Sequence, residues 1–123
     1  MNEAKKRILL VDDDEAIVET IHEYLSLSGY DVDVAKTGKE ALIKAKDHHY
    51  DIAILDIHLP DMDGTELLTK LPPSEPKTMK IMLTGYPNYY SSAEVLNLGA
   101  DAYLVKPVEL ERLLSVIEEK LKE

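Results

Sequence analysis

Four apolar runs, at residues 8–11, 52–55, 81–83 and 102–105, constrain this chain more than any other feature. They are too short and too sharply punctuated to be faces of bundle helices, and they have the length of buried strands. Between them, residues recur at helical spacing: Ile17, Ile21, Tyr24, Leu25 and Ser28; Ala41, Leu42 and Ala45; Leu67, Leu68 and Leu71; Leu110, Leu113, Leu114, Ile117 and Leu121. A weaker helical stretch covers about 91–98 and closes at Gly99. Residues 30–35 alternate apolar and polar, the pattern of an edge strand with one solvated face. Five strands alternating with five helices predict one α/β domain over 1–123, with its core at about 7–121 and a doubly wound parallel sheet. A chain of 123 residues, 45% hydrophobic, is long enough for one such core.

Parallel strands end on a common edge, and open α/β sheets place their chemistry outside the carboxyl ends of the strands. The run at 52–55 is apolar on both faces, as a central strand is, and delivers Asp56 to its tip. The other runs end at Asp12-Asp13, Thr84 and Lys106. Three carboxylates, a hydroxyl and an ammonium then converge. Like charges so packed demand a cation or a proton. A divalent metal with oxygen ligands answers that demand, and Mg²⁺ suits one or two carboxylates with phosphate nearby. A carboxylate beside it can act as a nucleophile toward phosphorus, with Lys106 and Thr84 contacting phosphoryl oxygens. Each residue also has an ordinary use: Asp12 to Asp14 as helix caps, Asp56 as a loop-initiating residue, Lys106 as a surface lysine.

Composition narrows the functional classes. Twenty-four acidic residues against 14 basic ones give a formal charge of −10, a field that opposes direct nucleic-acid binding. The absence of Cys excludes disulfide and thiolate chemistry. Neither a signal-type segment nor a membrane-length apolar window is present, so the expectation is a cytoplasmic protein without a membrane partner. The five glycines are scattered singly, with no glycine-rich phosphate loop, which leaves a nucleotide site unsupported.

Four blocks, in this order, carry a family resemblance: Ile8-Leu9-Leu10-Val11-Asp12-Asp13-Asp14; residues 51–64, which include Asp56-Ile57-His58-Leu59-Pro60-Asp61-Met62-Asp63-Gly64; Met82-Leu83-Thr84-Gly85-Tyr86; and Gly99-Ala100-Asp101-Ala102-Tyr103-Leu104-Val105-Lys106-Pro107. Over residues 7–121 the chain resembles the receiver domain of two-component response regulators, the chemotaxis-type phosphoacceptor fold. The resemblance implies a flavodoxin-like sheet of order 2-1-3-4-5 and a phosphorylation-activated switch. Asp56 would accept a phosphoryl group from a sensor histidine kinase. Asp13, assisted by Asp12, would bind Mg²⁺ together with Asp56 and the backbone carbonyl of His58. Lys106 would contact the phosphoryl group and precede a cis peptide bond to Pro107. Thr84 and Tyr103 would form the switch pair. The readout would lie on the fourth helix, fifth strand and fifth helix, with Tyr89 and Tyr90 adding apolar contact, and would pass to an output domain, a downstream protein or a second copy in a homodimer.

His58 and Tyr86 fall where the family tunes loss of the phosphoryl group, and their bulk predicts slow self-dephosphorylation. Beyond autophosphorylation and weak autophosphatase activity, no diffusible substrate is expected. Two other readings use the same residues. A Mg²⁺-dependent phosphatase or hydrolase would need a concave substrate pocket and a separate acid or base. A phosphorylation-independent adaptor would have no use for the whole set of Asp12, Asp13, Asp56, Thr84 and Lys106.

Overall fold

A computed structural model describes residues 5–85 and 91–122. In chain order the elements are β1 (Arg7–Val11), α1 (Glu15–Leu27), β2 (Asp31–Ala35), α2 (Gly38–Asp47), β3 (Ile52–Asp56), α3 (Gly64–Lys70), β4 (Met79–Thr84), α4 (Ser92–Asn97), β5 (Ala102–Val105) and α5 (Leu110–Leu121). The strands form one sheet of order β2-β1-β3-β4-β5, with every neighbouring pair parallel. This is the expected topology.

Alternation along each strand splits the core into two layers. Ile8, Leu10, Ile52, Ile54, Ile81 and Leu83 face α1 and α5, meeting Val18, Ile21, Leu25, Leu113, Val116 and Ile117. Leu9, Val11, Ala53, Leu55 and Met82 face the opposite way, against Ala41 of α2, Leu67 and Leu68 of α3, and Val95 of α4. With a layer on each side, all five residues of β3 are buried. That explains its uninterrupted apolar reading and puts its last residue, Asp56, at the middle of the sheet's upper edge.

Two local expectations differ from what forms. On α1 the inner stripe includes Val18, while Ser28 is exposed and ends the helix, its hydroxyl donating to the Tyr24 carbonyl at 2.8 Å. The second face of β2 is not simply solvated: Ala35 is fully buried, and Asp33 accepts hydrogen bonds from the Tyr50 hydroxyl (2.7 Å) and the Arg7 guanidinium (2.9 Å). Alternation reported which residues were polar but not that polar neighbours would cover them. The bonds Lys106–Pro107 and Glu75–Pro76 are cis; the first was expected and the second was not. No helix among the described residues is long and apolar enough to cross a membrane. Tyr86, Tyr89 and Tyr90 lie outside the described residues.

Candidate phosphoryl-acceptor site

The three consecutive aspartates after β1 divide their tasks. Asp14 caps α1, its Oδ1 accepting from the N–H groups of Ala16 (3.1 Å) and Ile17 (3.2 Å). With the helix end satisfied there, Asp12 and Asp13 are released from that role. Asp12 continues the line of β1, its N–H donating to the Ala35 carbonyl. It is 1% exposed, and its Oδ1 accepts from the Asp14 N–H at 3.0 Å. Asp13 is exposed at the mouth of the pocket.

Asp56 is 6% exposed at the tip of β3, and carboxylate oxygens of Asp12, Asp13 and Asp56 all lie within 4.8 Å of one another. Lys106 follows β5 directly, anchored by its N–H to the Thr84 carbonyl at 2.7 Å. Its ammonium reaches across the edge to Asp12 Oδ2 (2.7 Å) and Asp56 Oδ1 (3.3 Å). Burial, and after it the Asp12 charge, pushes the Asp56 carboxyl above its usual range, against the opposing pull of Lys106 and a hydrogen bond from the His58 backbone N–H. For Lys106, burial alone would depress the pKa, but its bonds to Asp12 and Asp56 outweigh that and raise it.

Three carboxylates thus face one ammonium. The donors are all oxygen, which suits a hard divalent cation and not zinc. The surplus negative charge is opposite in sign to such an ion and equal to it in size. The residues present fit a divalent cation.

The site's remaining parts come from strand alternation. Thr84, fully buried, ends β4 on the same side as Met82, toward α3 and α4. Tyr103 packs against that same layer, with Met82 as its register partner on β4. Thr84 and Tyr103 therefore share one face of adjacent strands. His58 lies two residues beyond Asp56, half-buried, and forms an isolated antiparallel bridge with Asp63. Gly64 closes the turn because a Cβ there would lie 2.1 Å from the Asp56 carbonyl oxygen. Sequence reasoning missed Asp61, whose Oδ1 and Oδ2 accept from the N–H groups of Gly38 (2.8 Å) and Lys39 (2.9 Å) at the start of α2. Those two amides hold its carboxyl below the ordinary range. Nothing in its spacing marks a bond to another helix.

Residues 8–118 match the family model of the response regulator receiver domain. The chain is 47% identical to the crystal structure of a CheY-like response regulator receiver domain protein from Methanospirillum hungatei JF-1, with a TM-score of 0.91 over 97% of this chain and 95% of that one. A response regulator protein from Burkholderia pseudomallei, solved with a phosphorylated aspartic acid, a calcium ion and citrate, is 29% identical with a TM-score of 0.84, covering 96% of this chain and 69% of that one. Among curated proteins, the transcriptional regulatory protein TrcR of Mycobacterium tuberculosis is 38% identical over 109 residues, 89% of this chain and 42% of TrcR. The chain spans less than half the length of the curated relatives it matches. It belongs to the response regulator receiver domain family, the phosphoacceptor switches of two-component systems.

Proposed function

We propose that Asp56 is the phosphoryl acceptor, that Asp12, Asp13, Asp56 and the His58 carbonyl hold Mg²⁺, and that a sensor histidine kinase is the donor. The observation that carries this reading is the placing of Asp56, at the centre of the edge, within reach of both Lys106 and the other two carboxylates. When bound, the cation would offset repulsion between Asp56 and the incoming phosphoryl group and bind its oxygens.

The chain's own residues do the rest. An Asp56 carboxylate oxygen attacks phosphorus while the bond from phosphorus to the donor's imidazole nitrogen breaks and leaves its electron pair on the donor. Burial and the Asp12 charge keep that oxygen basic, which favours attack. Lys106 transfers its contact from the Asp56 carboxylate to a phosphoryl oxygen, and the Thr84 hydroxyl donates to another. Drawing Thr84 toward the phosphoryl group frees space on the face it shares with Tyr103. The added charge and acceptor oxygens thereby bias the α4–β5–α5 surface between two states. Leu96, Leu98 and Val105 are exposed on that surface, which suits contact with an output domain, a partner or a second copy.

Incubation with acetyl phosphate and Mg²⁺, followed by intact mass, tests the reading. Wild type should gain one phosphoryl group and Asp56→Asn none; equal labelling of both would place the chemistry elsewhere. His58→Asn should shorten the lifetime of the labelled state, since a smaller side chain shields the phosphoryl group less from water.

A further inference from the structure

The loop between β3 and α3 carries the His58 carbonyl, so its position sets part of the cation's coordination. Its inner end is tied to the sheet by the Ile57 N–H, which donates to the Leu83 carbonyl at 3.1 Å. The Gly64 N–H donates to the Ile57 carbonyl at 2.6 Å, and the bridge between His58 and Asp63 closes the loop into a ring. The outer end reaches across to α2. There Asp61 binds the Gly38 and Lys39 amides, and Met62 packs so closely that a Cβ on Gly38 would lie 2.5 Å from its Cγ and Sδ.

The first turn of α2 already has its own cap. Thr37 Oγ1 accepts from the Glu40 N–H at 3.0 Å, and Glu40 Oε1 accepts from the Lys36 N–H at 2.7 Å. Asp61 satisfies the two amides that remain, where the helix dipole favours a carboxylate. The helix thus keeps a cap of its own at Thr37 when Asp61 is removed. The loop, by contrast, gains an outer anchor from the helix.

We propose that Asp61 is a positioning residue for the phosphoryl-acceptor pocket: by clamping the β3–α3 loop to the start of α2, it holds the His58 carbonyl where the divalent cation needs it. The inference rests on the metal site described under the proposed function. Groups that orient metal ligands from behind commonly change affinity about 10- to 100-fold when removed, and Asp61, acting on the loop as a whole, belongs at the low end of that range.

The test compares Mg²⁺ titration calorimetry with amide exchange of residues 58–63 in the metal-free protein. Asp61→Ala should weaken Mg²⁺ binding about tenfold and speed exchange in that loop. Thr37→Ala removes a cap from the same helix without touching the loop, and should leave Mg²⁺ affinity at the wild-type value. Wild-type affinity in Asp61→Ala, or an equal loss in Thr37→Ala, overturns the clamp while the metal site stands. If wild type itself binds no Mg²⁺, the metal site and the clamp both fall. Asp61→Asn keeps an acceptor oxygen, so it should bind Mg²⁺ with intermediate affinity. It carries the test should Asp61→Ala not fold, and wild-type affinity there overturns the clamp.

Discussion

At the N-terminal edge of the sheet aspartates meet donors, whereas at the C-terminal edge they meet one another. Asp51 accepts from the Arg7 N–H at 2.8 Å, Asp101 from the Lys80 N–H at 2.8 Å and the Lys77 ammonium at 3.1 Å, and Asp33 from Tyr50 and Arg7. Asp51 and Asp101 tie strand starts together, Asp33 ties β2 to the start of β1, and Asp33 and Asp101 are each paired with a cation. At the other edge, among the described residues, Lys106 is the one ammonium paired with Asp12 and Asp56, and Asp13 lies beside them. One residue type therefore serves structure or chemistry according to the ratio of carboxylates to donors around it.

The largest expected effect comes from removing the Lys106 ammonium. Lys106→Met would leave Asp12 and Asp56 buried with no ammonium, and should lower metal-free stability by about 3–5 kcal/mol. Mg²⁺ should recover part of that loss by binding only the folded state. At the N-terminal edge Arg7→Met should cost less, about 1 kcal/mol, because the Arg7–Asp33 pair is more than a third exposed on both sides and water screens it. Urea unfolding with and without Mg²⁺ measures both. Equal losses would erase the distinction between the edges.

The contrast between edges was only half legible in the sequence. The C-terminal cluster could be read because each apolar run stops at a polar residue, and parallel strands bring those stops together. Which of Asp12, Asp13 and Asp14 caps the helix could not be read, since adjacent aspartates look alike until backbone direction separates them. The Arg7–Asp33–Tyr50 cluster and the Asp61 clamp were likewise hidden. Their hydrogen bonds join residues 17 to 26 positions apart in the chain, and no local period records such contacts. The helical stripe of α1 erred at Ser28 for a related reason: a capping serine falls at the spacing of a core position.

A second comparison sets aspartate substitutions against each other. Asp51→Ala leaves the Arg7 N–H without its charged acceptor and should destabilise by about 1.5–3 kcal/mol. Asp56→Asn removes a buried carboxylate that its surroundings disfavour, so it should raise the metal-free melting temperature at pH 7 while abolishing phosphoryl acceptance. Thermal unfolding of the two variants decides the matter. A fall in both would mean that the C-terminal carboxylates stabilise the resting fold.

The smallest effect is the most diagnostic, because the edges should respond to acid with opposite signs. The Tyr50 hydroxyl first, and then Arg7, holds the Asp33 carboxyl below its ordinary range despite partial burial. A depressed group stabilises the fold above the unfolded value of about 3.9, and that contribution disappears as pH falls through the folded value. Asp56 is raised, so its contribution is complete below about 3.9 and is lost as pH rises through its higher folded value. Metal-free wild type measured from pH 7 to pH 3 sums a gain from Asp56 and, at lower pH, a loss from Asp33. Tyr50→Phe should remove part of the acid-side loss, a few tenths of a kcal/mol after screening at the partly exposed Asp33. Asp56→Asn should remove the gain that precedes it. Were Tyr50→Phe to leave the acid limb unchanged, the N-terminal cluster would owe its order to packing and not to its charge.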